Sequence, residues 1–290
     1  RTDLSGPLHD SFWSIPTLQH LDLSYIPLGD TNVSASRIKA PLQSLRLAHT
    51  GVSTALLRSL CSADSPLLPT LRVLDMSFSN LRDEIPDCIG NFSALTELDL
   101  GSNDLEGYVP ATISALQQLE TVDLSRNKLE GLKDMDVCAM PVLRRLYLGN
   151  NDLRELPKIT CASCTGLDLE ILDLSSNNLQ APQVASFLPI VGQTQVVSLR
   201  SNILTVLDFD RIYECSPVPE DAALRTLDVS QNRLSALNCV KGPSSHGSYD
   251  FSISTLLASG NDLTSDQAGD CLATGTWPVL QEVDLSSNQL

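Results

Sequence analysis

The sequence predicts an α/β solenoid, a single elongated domain over residues 1–290 in which short coils stack on one another. A segment of the form LxxLxLxxNxL occurs about eleven times. Its copies start 24 to 30 residues apart, a period that is typical of stacked repeats. The starting residues are Leu18, Leu42, Leu71, Leu95, Leu119, Leu143, Leu169, Thr194, Leu224, Ile253 and Leu280.

Each copy begins with a short strand. The fourth and sixth positions, such as Leu98 and Leu100, alternate with polar residues, so they point into the coil. Stacking these strands about 4.8 Å apart gives a parallel sheet. Because the return path of each coil is wider, we expect a curved horseshoe. The strands should lie on its concave face, with loops and short helices or 3₁₀ turns on the convex side.

A sharp turn follows each strand at the ninth position, which is most often asparagine. A buried carboxamide both donates and accepts, so it can pair backbone groups that the sheet leaves open. The first three copies carry Ile26, Thr50 and Ser79 there, and we expect a different first turn because Ile26 cannot form these hydrogen bonds. The predicted ladder comprises Asn103, Asn127, Asn151, Asn177, Asn202, Asn232, Asn261 and Asn288.

The strand motif and the asparagine ladder resemble the leucine-rich repeat family over essentially the whole chain. Residues 105–116 resemble the plant-type return segment LxGxIPxxIxxLxx, and residues 81–89 match it without the glycine. Residues 51–60 instead resemble the helical return segment of the ribonuclease-inhibitor subclass, and residues 216–219 and 242–248 read as loop insertions. The plant-type resemblance implies a receptor ectodomain or a secreted inhibitor.

The chain ends lack the atypical repeats that cover the open ends of a solenoid. Arg1 starts within a repeat, and Leu290 is the last consensus leucine of its copy. We therefore expect both ends to be uncapped and the sequence to be a fragment of a longer protein. Any kinase or membrane-spanning domain would lie outside it.

The composition restricts the partners. A net charge of −16 argues against nucleic acid, which requires basic surfaces, and against an anionic membrane. No apolar run approaches the roughly 20 residues of a membrane span, so we expect membrane attachment only through segments outside this sequence. The charge mildly favours cationic or polar partners.

The eight cysteines all fall in return segments, and two interpretations stay open. Cys161, Cys164 and Cys271 fit buried free thiols. Alternatively, neighbouring coils are close enough for disulfides; the candidate pairs are Cys61–Cys88, Cys138–Cys161 and Cys215–Cys239. A zinc site is weakly supported, because a lone Cys-x-x-Cys is one half-site, and we expect neither metal nor cofactor.

Two glycosylation sequons occur outside the strands, at Asn32 and Asn91. Together with the plant-type segments they favour an extracellular or cell-surface location. A cytoplasmic location is the alternative.

The outward strand positions are the candidate ligand-binding face. Seven aspartates form a central column: Asp22, Asp75, Asp99, Asp123, Asp173, Asp228 and Asp284. This column is either a track for a cationic ligand or the strand consensus, in which each aspartate bonds to a neighbouring serine. Since stacked carboxylates repel one another, we expect raised pKa values along it.

Departures from the consensus are better site candidates. The first set is Tyr25, His49 and Phe78, expected to stack side by side, with His20 and Arg46 close by. The second set is Arg126, Arg145, Tyr147 and Arg200. Exposed aromatic and arginine clusters on a rigid surface are typical anchors for a partner.

Catalysis is not expected. His20, Asp22 and Ser24 share one strand face, but residues two apart on a strand lie about 6.5–7 Å apart, too far for a nucleophile to contact its base. We therefore predict a non-catalytic recognition module, the ectodomain of a receptor, adhesion protein or secreted inhibitor, that binds a protein or peptide on its concave face. The alternatives are a cytosolic scaffold or regulatory subunit and a structural coat protein.

Overall fold

The computed structural model describes residues 13, 15–29, 38–132, 134–157, 159, 164, 167–185, 187–212, 223–239, 251–274 and 277–290. Asn32, Cys161, Cys215 and the two predicted insertions lie outside these residues. The chain divides into two compact units, Arg1–Leu146 and Tyr147–Leu290. The single domain over residues 1–290 stays a prediction.

The first unit is built on short parallel strands of three to five residues. Its described strands are, in chain order, β1 (His20–Asp22), β2 (Ser44–Arg46), β3 (Val73–Asp75), β4 (Arg82–Glu84), β5 (Glu97–Asp99), β6 (Asp104–Tyr108), β7 (Thr121–Asp123) and β8 (Lys128–Gly131). The residues of β9 (Arg145–Tyr147) are divided between the two units. Strands β1, β2, β3, β5 and β7 pair in that order, one strand per repeat. Because the registers align equivalent repeat positions, each column of the sequence motif becomes a row of side chains.

A second sheet of the first unit joins β4, β6 and β8 in parallel. This sheet lies in the return segments and was not predicted from the sequence. It shifts register after Gly107, which has a φ of +73°, a conformation that glycine adopts readily. An ion pair of 2.6 Å joins Lys128 to Asp104 across the sheet.

The remaining return segments of the first unit are helical. Helix α1 spans Thr54–Leu60, which confirms the helical segment predicted within residues 51–60. The plant-type segments form 3₁₀ turns at Asp87–Asn91 and Ala111–Ala115, and another lies at Val137–Ala139. Loops, short helices and 3₁₀ turns thus return the chain to the next strand, as predicted.

The second unit repeats the strand pattern with longer return segments. Its described strands are β10 (Ile171–Asp173), β11 (Val196–Ser198), β12 (Val206–Asp208), β13 (Thr226–Asp228), β14 (Ala236–Asn238), β15 (Thr255–Leu257) and β16 (Glu282–Asp284). Its helices are α2 (Ala181–Ala185), α3 (Leu188–Val191), α4 (Phe209–Ile212) and α5 (Ser265–Thr274). Strands β10, β11, β13, β15 and β16 pair in parallel in that order, while β12 pairs with β14.

The core consists of stacked consensus leucines. Leu74, Leu98 and Leu100 are fully buried in the first unit, as are Leu172 and Leu227 in the second. Each buried leucine contributes roughly 1.5–3 kcal/mol relative to an exposed one. The inward strand positions are therefore committed to the core, and the outward positions remain available for contacts with a partner.

Candidate functional site

The asparagines fix the turn at the end of each strand. Asn127 Nδ2 donates to the carbonyls of Leu100 and Leu124 at 3.0 and 3.1 Å, and its Oδ1 accepts the Leu105 N–H at 3.0 Å. Asn151 donates to the Leu148 carbonyl at 3.1 Å. The Asn127 pattern recurs at Asn103, Asn177, Asn202, Asn232, Asn261 and Asn288.

The first turn differs from the others, as expected from Ile26. The N–H groups of Leu28 and Gly29 donate to the backbone carbonyl of Thr50 at 2.9 and 3.1 Å. Elsewhere, as at Leu105, the equivalent N–H binds an asparagine side chain of the next coil. A backbone acceptor therefore substitutes for the missing carboxamide.

The eighth position of every copy, just before the turn residue, has a left-handed backbone. This feature was not anticipated, because only the asparagine and the glycine among these residues adopt that conformation readily. An ordinary side chain there costs roughly 1–2 kcal/mol. The residues, with φ between 49° and 65°, are Tyr25, His49, Phe78, Ser102, Arg126, Asn150, Ser176, Ser201, Gln231, Gly260 and Ser287.

Three aromatic rings occupy this position in the first three coils and form one stack. The ring centroids of Tyr25 and His49 lie 4.6 Å apart, and those of His49 and Phe78 lie 4.4 Å apart, with interplanar angles of 14° and 11°. Tyr25 is 75% exposed and Phe78 49%. We call these three residues the aromatic row; the placement is the one that the sequence predicted.

The other two members of the first set flank the aromatic row. His20 and Arg46 are exposed on β1 and β2, and Arg46 pairs in register with Asp22. The first set is thus assembled on one face of the first unit. Its role in binding stays a prediction.

The second set divides between the units. Arg126 and the exposed Arg145 belong to the first unit, whereas Tyr147, which is half-buried, and the exposed Arg200 belong to the second. A binding role for these residues also stays a prediction.

The aspartates of the column accept hydrogen bonds from residues that follow them in the same coil. Asp75 accepts hydrogen bonds from the backbone N–H and the hydroxyl of Ser77 at 3.0 and 2.7 Å, and Asp99 accepts the Gly101 N–H at 2.9 Å. The other aspartates accept the N–H two residues on in the same way. These contacts favour the consensus interpretation of the column over a dedicated cation track.

The pKa values of three aspartates of the column are shifted in different directions from the ordinary value. Burial raises the pKa of Asp99 to about 6, with smaller contributions from the carboxylates of Asp123, Asp75 and Glu97. The pKa values of Asp22 and Asp284 are instead lowered, because hydrogen bonds from Ser24 and Ser286 stabilise the charged forms. The expected rise therefore holds at Asp99 and is wrong at these two aspartates, where hydrogen bonding outweighs desolvation.

Replacing Asp99 by asparagine should stabilise the protein at high pH. Because the folded pKa of about 6 exceeds the ordinary value of 3.8, the native carboxyl holds its proton longer than the unfolded one, and stability falls as pH rises between these values. The full effect would be about 3 kcal/mol, and partial solvent exposure reduces it. We expect Asp99→Asn to gain about 1–3 kcal/mol at pH 8 and nothing at pH 4.

Urea denaturation at both pH values measures this difference. The matched control is Asp284→Asn, whose pKa moves in the opposite direction, so this variant should gain no stability at pH 8. An Asp99→Asn gain that is equal at pH 4 and pH 8 would contradict the assignment.

Disulfides join neighbouring coils within each unit. Cys61–Cys88 has a Cα–Cα distance of 5.2 Å, which confirms that predicted pair. Cys239 pairs with Cys271 at 5.0 Å. The predicted Cys215–Cys239 pair is therefore wrong, because α5 of the following coil brings Cys271 beside the end of β14.

The remaining described cysteines are also oxidised. Cys138 and Cys164 are disulfide-bonded, whereas the predicted Cys138–Cys161 pair involves a residue outside the described part. The free-thiol interpretation is wrong for Cys164 and Cys271. Asn91 is exposed, and its Nδ2 donates to the Cys61 carbonyl at 3.1 Å; its glycosylation stays a prediction.

Among the described residues, no helix combines the length and apolar character that crossing a bilayer requires. The same segments contain no group of three or more side chains suited to hold a metal ion.

Family models described as leucine-rich repeat match residues 93–153 and 70–92. Together with the parallel strands and the asparagine-fixed turns, these matches show leucine-rich repeats in residues 70–153 and a leucine-rich repeat fold. It resembles the plant-type subclass. No curated protein matches the chain.

Similar solved structures have the same fold. One is the leucine-rich repeat ectodomain of the plant membrane receptor kinase GASSHO1/SCHENGEN3 from Arabidopsis thaliana, in complex with CASPARIAN STRIP INTEGRITY FACTOR 2. Its TM-score is 0.67 at 23% identity, over 98% of this chain and 32% of that chain. The ectodomain of the Arabidopsis receptor kinase HAESA, in complex with an extended IDA peptide hormone, gives 0.65 at 24%, over 97% and 44%.

A third is the plant peptide hormone receptor RGFR1 in complex with RGF2, with a TM-score of 0.65 at 21% identity, over 98% of this chain and 46% of that chain. The chain thus spans less than half of the length of these structures. At these identities the likeness establishes the fold alone. The family and its fold generally serve as non-catalytic binding modules.

Proposed function

We propose that the chain is a non-catalytic recognition module that binds a protein or peptide on the exposed strand face of its first unit. It would form part of the ectodomain of a receptor, of an adhesion protein or of a secreted inhibitor. The aromatic row of Tyr25, His49 and Phe78 is the observation that carries this proposal.

Folding alone does not explain the aromatic row. Each of its residues has the left-handed backbone that glycine or asparagine would adopt at lower cost. Ring stacking returns roughly 0.5–1.5 kcal/mol per pair, yet Tyr25 and Phe78 still expose large apolar surfaces. Every copy has this left-handed backbone, so the exposed apolar rings, rather than the strain, distinguish the first three coils, and exposed apolar clusters are typical of interaction sites.

The rigidity of the row also suits recognition. The backbone N–H groups of Tyr25, His49 and Phe78 donate to carbonyls of the following coil at 2.8, 3.0 and 3.0 Å. The rings are therefore fixed before a partner arrives, and little conformational entropy is lost on binding. Preorganised aromatic side chains are frequent hot spots in protein interfaces.

The disulfides support an extracellular location. Cross-coil bonds such as Cys61–Cys88 and Cys239–Cys271 persist in oxidising environments and are rare in the cytosol. Two structurally similar proteins are a peptide hormone receptor in complex with RGF2 and a receptor ectodomain in complex with a peptide hormone. Both observations support an extracellular or cell-surface module with a peptide or protein ligand, rather than a cytosolic scaffold.

The double variant Tyr25→Asn/Phe78→Asn tests this site. Asparagine accepts the left-handed backbone, as Asn150 does, so the melting temperature should change by no more than about 2 °C. Peptides selected on the wild-type protein from a random displayed library should bind the variant at least about tenfold more weakly, measured by calorimetry.

The matched control is Tyr108→Asn. Tyr108 is 41% exposed on β6, in the other sheet of the same unit, and its replacement should leave peptide binding unchanged. Selected peptides that bind the double variant as tightly as the wild type would remove the aromatic row from the ligand site.

A further inference from the structure

The aromatic row ends at Phe78 with one ring face open. His49 covers one face of Phe78, and Ser102 holds the equivalent position of the next coil. Phe78 remains 49% exposed. A serine is too short to continue the stack, so the row is followed by an open slot of one coil spacing, which is about 4.8 Å.

Arg126 occupies the same repeat position one coil beyond Ser102, and it is exposed and has the same left-handed backbone. Phe78 and Arg126 are therefore two coil spacings apart, or about 9.6 Å. The His49 and Phe78 ring centroids are 4.4 Å apart. A planar group stacked on Phe78 at this distance would fill the gap between Phe78 and Arg126.

Gly101 brings two carboxylates to the same place. Its carbonyl accepts the Phe78 N–H at 3.0 Å, and its own N–H donates to Asp99 Oδ1 at 2.9 Å. A Cβ atom on Gly101 would lie 3.2 Å from Asp99 Oδ1 and 3.1 Å from Asp123 Oδ1. The two carboxylates therefore converge over the buried backbone of Gly101, one residue before Ser102.

We propose that the slot above Ser102, between Phe78 and Arg126, receives an arginine side chain of the ligand, with its guanidinium stacked on Phe78 and paired with Asp99 and Asp123. This inference rests on the proposed binding function and specifies that the ligand bound by the exposed strand face carries an arginine.

The chemistry of the slot distinguishes arginine from other groups. A guanidinium is planar, stacks on aromatic faces and donates two parallel hydrogen bonds to carboxylates. The lysine ammonium is charged but not planar, so it cannot stack on a ring as a guanidinium does. A neutral amide is planar but carries no charge. The net charge of −16 favours a cationic ligand.

The unusual ionisation of Asp99 fits this ligand. Burial and the neighbouring carboxylates raise the pKa of Asp99 to about 6, so that keeping it charged at neutral pH carries a cost. A bound cation would offset the repulsion among Asp75, Asp99 and Asp123. Binding should therefore weaken as the pH falls below 6, because Asp99 becomes protonated.

Three blocked pentapeptides serve as probes: Gly-Gly-Arg-Gly-Gly and its lysine and citrulline counterparts. Citrulline keeps the planar shape of arginine but has no charge. We expect the arginine peptide to bind at least about fivefold more tightly than the other two, measured by NMR titration at low salt and pH 7.5. Equal binding of the three peptides would overturn the proposal.

Ser102→Phe should fill the slot and reduce binding of the arginine peptide at least about tenfold. The backbone at Ser102 matches that of Phe78, so a phenylalanine can be held there. The matched control is Ser201→Phe, at the same position of a coil in the second unit, and it should leave the peptide affinity unchanged. Retained affinity in Ser102→Phe would also overturn the proposal.

The double variant Asp99→Asn/Asp123→Asn tests the charge without filling the slot. It should abolish the preference for arginine over citrulline, and a persisting preference would count against the carboxylate pairing. If library peptides need the aromatic row but carry no arginine, the guanidinium assignment fails while the proposed function stands. If they need neither, both fail.

Discussion

Asn177→Ala should lower the free energy of unfolding by about 3 kcal/mol. The side chain is 7% exposed and donates to the carbonyls of Leu148 and Leu174 at 3.0 and 3.1 Å. It also accepts the Leu153 N–H at 3.0 Å. Alanine would leave these groups buried without partners, and each unsatisfied group costs roughly 1–3 kcal/mol.

The adjacent Asn178→Ala is the control. Asn178 is only half-buried, and its Nδ2 makes a long contact of 3.3 Å with Asp152 on the surface. Its loss should cost less than about 0.5 kcal/mol. Chemical denaturation of both variants compares the two neighbours directly; similar losses would show that the turn does not depend on the buried carboxamide.

Removing the Cys61–Cys88 disulfide should cost a similar amount, about 3–4 kcal/mol. The bond closes a segment with a sequence separation of 27 residues and joins the end of α1 to the next 3₁₀ turn. Its loss increases the conformational freedom of the unfolded chain. Cys61→Ser/Cys88→Ser should therefore unfold at a lower temperature, as calorimetry would measure.

Cys88→Ser alone separates the bond from the side chains. Cys61 is fully buried whereas Cys88 is only half-buried, so the single variant breaks the bond without placing a hydroxyl in the core. It should lose nearly as much stability as the double variant. A loss below about 1 kcal/mol would mean that the packed coils alone hold this segment together.

The strand positions could be predicted from the sequence because one motif repeats in phase. Leu98 and Leu100 fill the core, and Asn127 fixes the turn, since only these residue types satisfy those positions in coil after coil. The helix at Thr54–Leu60 followed from the resemblance of residues 51–60 to the helical return segment of the ribonuclease-inhibitor subclass. These features depend on interactions within a coil or with the adjacent coil.

The features that were not predicted depend on contacts between coils and on backbone conformation, which the residue types alone do not specify. The sheet of β4, β6 and β8 lies in segments of varied sequence, where charged residues such as Glu84 and Glu106 pair through backbone atoms alone. Cys239 pairs with Cys271 because a helix in the next coil places them together. The stacking of Tyr25, His49 and Phe78 followed from their shared position, but their left-handed backbone did not.

The spacing of the aromatic row determines which side chains of an extended peptide could contact it. Ring centroids recur every 4.4–4.6 Å, whereas side chains on one face of an extended peptide recur about every 6.8 Å. Three coil steps and two peptide steps nearly coincide, at roughly 13.5 Å. Tyr25 and Ser102 are three coils apart, so residues i and i+4 of such a peptide would meet equivalent positions. Because the two spacings differ, only some side chains of the ligand would lie opposite a position of the row, and the others would lie between two positions.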